Sequence, residues 1–176
     1  MRSGPAIPVT LARDIAGAAE RFIPRVDARL GLFGILAAIQ LALIWNHEPW
    51  EDELQALLIA RDSHSVADWY ANFRYEGHPP LWHLVLKMFL GLADPAAALH
   101  LALSVTALAI LWLLVVASPF PVWFAAMLGT GYFVSFEYGT IARGYSLGVA
   151  LLFAVVAFRS HRWAWLLIAL LPQAGV

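Results

Sequence analysis

The stretch His47–Lys87 reads HEPWEDELQALLIARDSHSVADWYANFRYEGHPPLWHLVLK. Between His47 and His78 it holds seven of the chain's twelve acids: Glu48, Glu51, Asp52, Glu53, Asp62, Asp68 and Glu76. Only Arg61 and Arg74 oppose them there. Four of the six histidines, His47, His64, His78 and His83, also fall within it. On both sides the chain is mostly apolar. A lipid-soluble chain that gathers its titratable groups in one loop is expected to do its chemistry there. The plainer alternative is a solvated loop, since loops attract charge in any case.

Of 176 residues, 61% are hydrophobic and 13% charged, with a mean hydropathy of +0.72. That composition belongs to the membrane class. The net charge of −1, with no basic tract, excludes nucleic acid as an expected partner. There is no cysteine, so disulfides, zinc–thiolate sites and cysteine nucleophiles are excluded.

The apolar and polar runs alternate in a readable order. Residues 1–29 carry five arginines against three acids, with Leu11, Ile15, Phe22 and Ile23 on one helical face. They predict a cytoplasmic amphipathic segment lying on the membrane. Leu30–Asn46 is uncharged and predicts the first span. Residues 47–94 follow as an external loop with surface helices. One of these starts at the acids Glu51, Asp52 and Glu53, with Leu54, Leu57 and Leu58 as its apolar face. A second opens at Ser65, with Asp68 three residues on as a capping box. Its apolar face is Val66, Trp69, Tyr70 and Phe73. Pro79–Ala93 opens with Pro-Pro but is short for a span, and Lys87 sits near its middle. Residues 95–176 predict further spans, interrupted at Ser118–Pro121, Glu137–Arg143 and Arg159–Arg162. If Pro79–Ala93 stays on the surface, Arg159–Arg162 joins the N-terminal arginines inside, and Glu137 and Arg143 face outside beside the acidic loop. The positive-inside rule favours that arrangement. The fold class is therefore all-α, a polytopic transmembrane helical bundle with amphipathic juxtamembrane helices in its first external loop.

Neighbouring carboxylates on a helix point about 100° apart, so Asp52 and Glu53 cannot form one bidentate site. One can act while the other positions. A carboxylate part-desolvated by Trp50 is a candidate general base. Lys87, Arg143 and His78 are candidate phosphate partners. Each has a plainer reading: Lys87 as a snorkelling lysine, His78 as a turn cap, Arg143 as a topology anchor. No H-E-x-x-H or comparable spacing appears, so no metal ligands are assigned and the cofactor stays open.

In order, the motifs are E-D-E-L at 51–54, E-G-H-P-P-L-W-H at 76–83 and E-Y-G-T-I-A-R-G-Y-S-L at 137–147, after an uncharged first span. This order resembles the N-terminal portion of the polytopic C-type-fold glycosyltransferases, the protein mannosyltransferase and aminoarabinose transferase group. The resemblance covers about a hundred residues and lies in order and spacing, each motif being weak alone. It implies that Asp52 and Glu53 are the acidic pair, with the aspartate catalytic. It matches His78-Pro79-Pro80 to the motif closing the first external loop, and Arg143-Gly144-Tyr145 to the third motif. Where some relatives carry a second aspartate, this chain has Tyr145, and Glu137 is the candidate substitute. The implied activity is sugar transfer from a polyprenyl-phosphate donor to a lipid, glycan or protein acceptor on the non-cytoplasmic face. The implied location is a bacterial inner membrane, crossed several times, with the N-terminus cytoplasmic. The family's catalytic module has more spans, and this chain ends at Gln173-Ala174-Gly175-Val176 within an apparent span. The expectation is thus the N-terminal part of a larger transferase, with membrane lipids and a lipid-linked sugar as partners. The competing reading is a small non-catalytic membrane subunit or scaffold with a protein partner. A transporter is the third, and lacks a charge buried within a clear span or a matched pair of broken helices.

Overall fold

The structure is a computed structural model that describes the backbone of residues 9–175 and the side chains of residues 27–175. The expected amphipathic face Leu11, Ile15, Phe22 and Ile23 lies outside the residues whose side chains are described. Every regular element among the described residues is helical. The α-helices are α1 (Val9–Trp45), α2 (Glu51–Asp62), α3 (Val66–Phe73), α4 (Leu81–Leu90), α5 (Pro95–Val115), α6 (Val122–Gly129), α7 (Gly144–Phe158) and α8 (Ala164–Leu170). A π-helical turn covers Phe133–Glu137, and a 3₁₀ turn covers Leu171–Ala174.

Two stretches are long and apolar enough to cross a membrane, Asp27–Trp45 within α1 and Pro95–Val115 in α5. At 1.5 Å per residue they run about 28 and 31 Å, close to the hydrocarbon thickness. The other expected spans are shorter. The run from Val122 fails as a single helix because Thr130 turns its Oγ1 back onto the Ala126 and Met127 carbonyls, and Gly131 follows. Both residues favour a break there. The chain then re-forms helix with one extra residue per turn, Tyr138 N–H reaching the Phe133 carbonyl at 2.8 Å. The sequence break is local, so a smooth hydropathy profile runs through it.

The central helix is α5, packed between α1 and α7, with α4 against it. Its start is fixed locally: Asp94 Oδ1 accepts from the N–H groups of Ala96 and Ala97 at 3.1 and 3.2 Å, and Pro95 takes the first helical position. Its end is held by Arg29, whose guanidinium donates to the carbonyls of Val115, Ser118 and Phe120. A cation on the orphan carbonyls of a helix C-terminus is favourable both as hydrogen bond and as charge.

The expected surface helices form. Ser65 Oγ accepts from Asp68 N–H at 3.1 Å, and Asp68 Oδ2 accepts from Ser65 N–H at 2.8 Å, the reciprocal box read from the sequence. Those bonds hold the Asp68 carboxyl below its ordinary range. In α3, Val66 and Tyr70 are exposed and no residue is buried. In α2 the apolar face differs from expectation. Leu57 and Ala60 are buried, together with Glu53, while Leu54 and Leu58 lie outward. The helix is rotated so that Glu53 points inward, because it has backbone partners there.

Leu57, Ala60, Trp82 and Leu86 join Leu99, Ala102 and Leu103 of α5 in one core. This core seats α2 and α4 on the first half of α5. Ala142 belongs to it too, so the loop after the π turn docks at the same end of the molecule.

Candidate functional site

Glu53 fixes the geometry. It is 1% exposed, and its carboxylate accepts from three donors: Ala142 N–H at 2.6 Å on Oε1, and Trp50 N–H at 2.8 Å and His47 Nε2 at 2.9 Å on Oε2. The residues 138–143 loop is thereby tied to the first turn of α2. A second tie runs from α1, where buried Gln40 donates Nε2–H to Thr140 Oγ1 at 3.1 Å. Gly139 permits it: a Cβ there would sit 2.7 Å from Gln40 Nε2 and 2.5 Å from the Val134 carbonyl oxygen. Two ties to one loop place Arg143 with little freedom.

Arg143 Nη1 meets Asp52 Oδ2 at 3.2 Å. Asp52 is 58% exposed on its side chain, so the part-desolvation expected from Trp50 is not found, and the guanidinium is its chief neighbour. The adjacent acids therefore divide as their angular offset requires. Asp52 faces outward with spare oxygen lone pairs, and Glu53 faces inward with its acceptor capacity largely used.

Asp52 and Arg143 form one wall of a cavity of about 260 Å³. His78, from the turn before α4, lies on another wall. Its Nδ1 is 2.7 Å from Glu76 Oε1, and Glu76 Oε2 accepts from Gln55 Nε2 at 3.2 Å. Trp82 and His83 also line the cavity. Both are 2% exposed, and neither the indole N–H nor either imidazole nitrogen has a hydrogen-bond partner among the described residues. Burial pushes His83 below its ordinary range, with Glu76 nearby opposing the shift in part. The ring approaches the Pro79 carbonyl without reaching hydrogen-bond geometry, and packs edge-on to Phe73 with centroids 4.6 Å apart.

The remaining candidates separate from this cavity to different degrees. Tyr145 and Glu137 stand beside it. Glu137 accepts from Tyr145 OH and from Tyr132 OH, each at 3.1 Å, and Arg143 lies over the Tyr145 ring at 5.4 Å. Tyr145 thus supports Arg143 from behind, and the π turn is what brings Glu137 within reach. Lys87 is elsewhere. Its Nζ donates to the Arg61 carbonyl at 3.1 Å, at the C-terminal end of α2.

Glu76, Gln55, Trp82 and His83 line the cavity without being among the site residues expected from the sequence. Glu76 had a signal, standing two residues before His78 in E-G-H-P-P. Trp82 had none, because a tryptophan on an apolar helix face reads as core. Among the described residues no three of the histidines and acids come together as a metal-holding group.

No family model, curated protein or solved structure matches the chain.

Proposed function

We propose that the chain is the membrane-embedded N-terminal portion of a glycosyltransferase that moves a sugar from a polyprenyl-phosphate donor to an acceptor hydroxyl or amine. The carrying observation is that Asp52, His78 and Arg143, from three separate elements, line one cavity. In this reading the donor phosphate draws the Arg143 guanidinium, which releases the Asp52 carboxylate. Asp52 takes the acceptor's proton as its oxygen or nitrogen bonds to the anomeric carbon. The anomeric C–O bond to phosphate breaks, and its electron pair leaves on the polyprenyl phosphate beside Arg143 and His78. Glu53 holds the loop rather than the proton.

The contacts also support a topology. Residues 47–87 and 137–143 meet at one end of α5, and Arg29 meets residues 115–120 at the other. Pro79–Ala93 then stays on the surface, since α4 is only about 15 Å long. The chain crosses several times with its N-terminus inside, as in an inner-membrane protein. Single cysteines at Tyr75 and Ser160 should react with an impermeant thiol reagent from outside and inside respectively. Reaction of both from one side would remove this topology.

The test of function is Asp52→Asn in proteoliposomes carrying the full reading frame and a panel of polyprenyl-phosphate sugars. Transfer should fall about 10²–10⁴-fold, the usual share of a general base. Asn caps a helix start as well as Asp, so folding should persist. An unchanged rate in a folded variant removes the transferase reading and leaves a non-catalytic subunit or scaffold.

A further inference from the structure

A second cavity, of about 650 Å³, lies between the C-terminal ends of α5 and α7 and shares no residue with the one at Asp52. Leu113, Leu114, Ala117, Phe153, Val156 and Ala157 give it apolar walls. The turn Ser118–Phe120 closes one side, held by the bonds from Arg29 to its carbonyls. Among the lining residues Arg159 alone is charged.

That arginine has capacity to spare. It follows α7 directly, is exposed, and makes no ion pair among the described residues. Its Nη1 donates to the Val156 carbonyl at 3.2 Å, one use for a group with five N–H donors. Ser118, also on the lining, is spent: its Oγ donates to the Leu114 carbonyl and accepts from Phe120 N–H. An apolar trough that ends in one unpaired guanidinium suits an amphiphile with an anionic head. Apolar chains cover the walls, and a phosphate meets the cation. The turn after α7 fits the level of a headgroup. Phe158, His161 and Trp163 cluster there, Trp165 is exposed nearby, and Arg162 adds a second exposed cation. A packed helix would have to bring its own carboxylate to Arg159. A phospholipid brings chains and charge in one molecule, and surrounds any chain that α1 and α5 hold in a bilayer.

We propose that this cavity binds an anionic phospholipid, with its acyl chains between α5 and α7 and its phosphate on Arg159. The proposal rests on the membrane embedding of α5 and is independent of glycosyl transfer, which is assigned to the other end of that helix.

The test is lipid titration of the detergent-solubilised product of the full reading frame, followed by native mass spectrometry and by thermal midpoint. The probes are dioleoyl phosphatidylglycerol and dioleoyl phosphatidylcholine, which differ only in the head. Phosphatidylglycerol should bind about fivefold or more tightly than phosphatidylcholine and raise the midpoint further, as a ligand of the folded state does. Arg159→Gln should remove about fivefold of that preference, the share of one cation at a lipid headgroup. Ala157→Phe keeps the charge and fills the trough, and should weaken both lipids. Each variant is compared with itself in the two lipids, so a lower starting midpoint does not affect the reading. Equal affinity for the two lipids, or a preference that survives both substitutions, overturns the site. So does a groove filled by a further helix, which would give no lipid preference and a midpoint lowered by Ala157→Phe alone. Flotation with phosphatidylcholine vesicles tests the membrane reading separately. A protein that does not float removes both readings, and one that floats without lipid preference removes only the site.

Discussion

The two ends of α5 use charge in opposite ways. At its C-terminal end Arg29 donates to the carbonyls of Val115, Ser118 and Phe120, and that guanidinium is occupied by the backbone it caps. At its N-terminal end Glu53 does the same kind of work with N–H groups of Trp50 and Ala142. Beside Glu53, however, Asp52, Arg143, Trp82 and His83 retain hydrogen-bonding capacity that the fold does not consume. Charge alone therefore does not mark a site in so apolar a chain. Unspent polar capacity around a cavity is what sets the Asp52 end apart from the Arg29 cap.

The strongest challenge to that contrast is to remove Glu53. Glu53→Ala leaves the Ala142 and Trp50 N–H groups and His47 without their acceptor in a buried place. Loss of one member of such a buried set costs about 3–5 kcal/mol, and the thermal midpoint of the solubilised protein should drop accordingly. Glu53→Gln keeps one acceptor oxygen and the shape, so its loss should be roughly half, nearer 1–3 kcal/mol. The informative readout is transfer by the Gln variant at a temperature where it is folded. Retained transfer makes Glu53 a positioning residue. Abolished transfer, with Asp52→Asn still active, makes Glu53 the base and breaks the division drawn between the two carboxylates.

Arg29→Leu attacks the other end. It removes hydrogen bonds from a charged donor that is only partly buried, so about 1–2 kcal/mol should be lost after allowance for solvent. Sugar and phosphate binding at the far cavity should not change. A fall in binding would mean that the two ends are coupled through α5, and that the Arg29 cap also serves the site.

Much of this arrangement is legible locally and some is not. The box at Ser65 and Asp68 and the helix starts at Pro79-Pro80 and Asp94-Pro95 are written in adjacent residues, and the structure forms each one. The angular offset between Asp52 and Glu53 was also readable, because it depends only on helix geometry. Which of the two turned inward was not, since that depends on Ala142, 89 residues away. The convergence of His78 and Arg143 was expected from topology and charge type. Trp82 and His83 were hidden because a buried aromatic helix face looks the same whether or not its polar atoms are bonded. The run after Val122 looked continuous because Thr130 and Gly131 barely change a hydropathy average, yet they are enough to end a helix.

Lys87 against Arg143 gives the smallest expected effect. Both cations were candidates for the same phosphate, and His83 and Lys87 are one helical turn apart, so sequence spacing joins what the structure divides. His83 lines the cavity, while the longer lysine chain carries its ammonium to the Arg61 carbonyl at the end of α2. A cation at a helix C-terminus contributes about 0.3–1 kcal/mol. Lys87→Met keeps the apolar stem and should lower stability by no more than that. Binding of a short-chain prenyl phosphate should be unchanged within about twofold, because no phosphate contact is lost. Arg143→Leu in the same titration should weaken it by about 10–100-fold, the loss of a charge-assisted hydrogen bond. A Lys87→Met variant that loses as much as Arg143→Leu would place the phosphate at the Lys87 end of α4, beside the C-terminal end of α2. The cavity at Asp52 would then be a sugar or acceptor site only, and the release of Asp52 by donor phosphate would have no cation to act through.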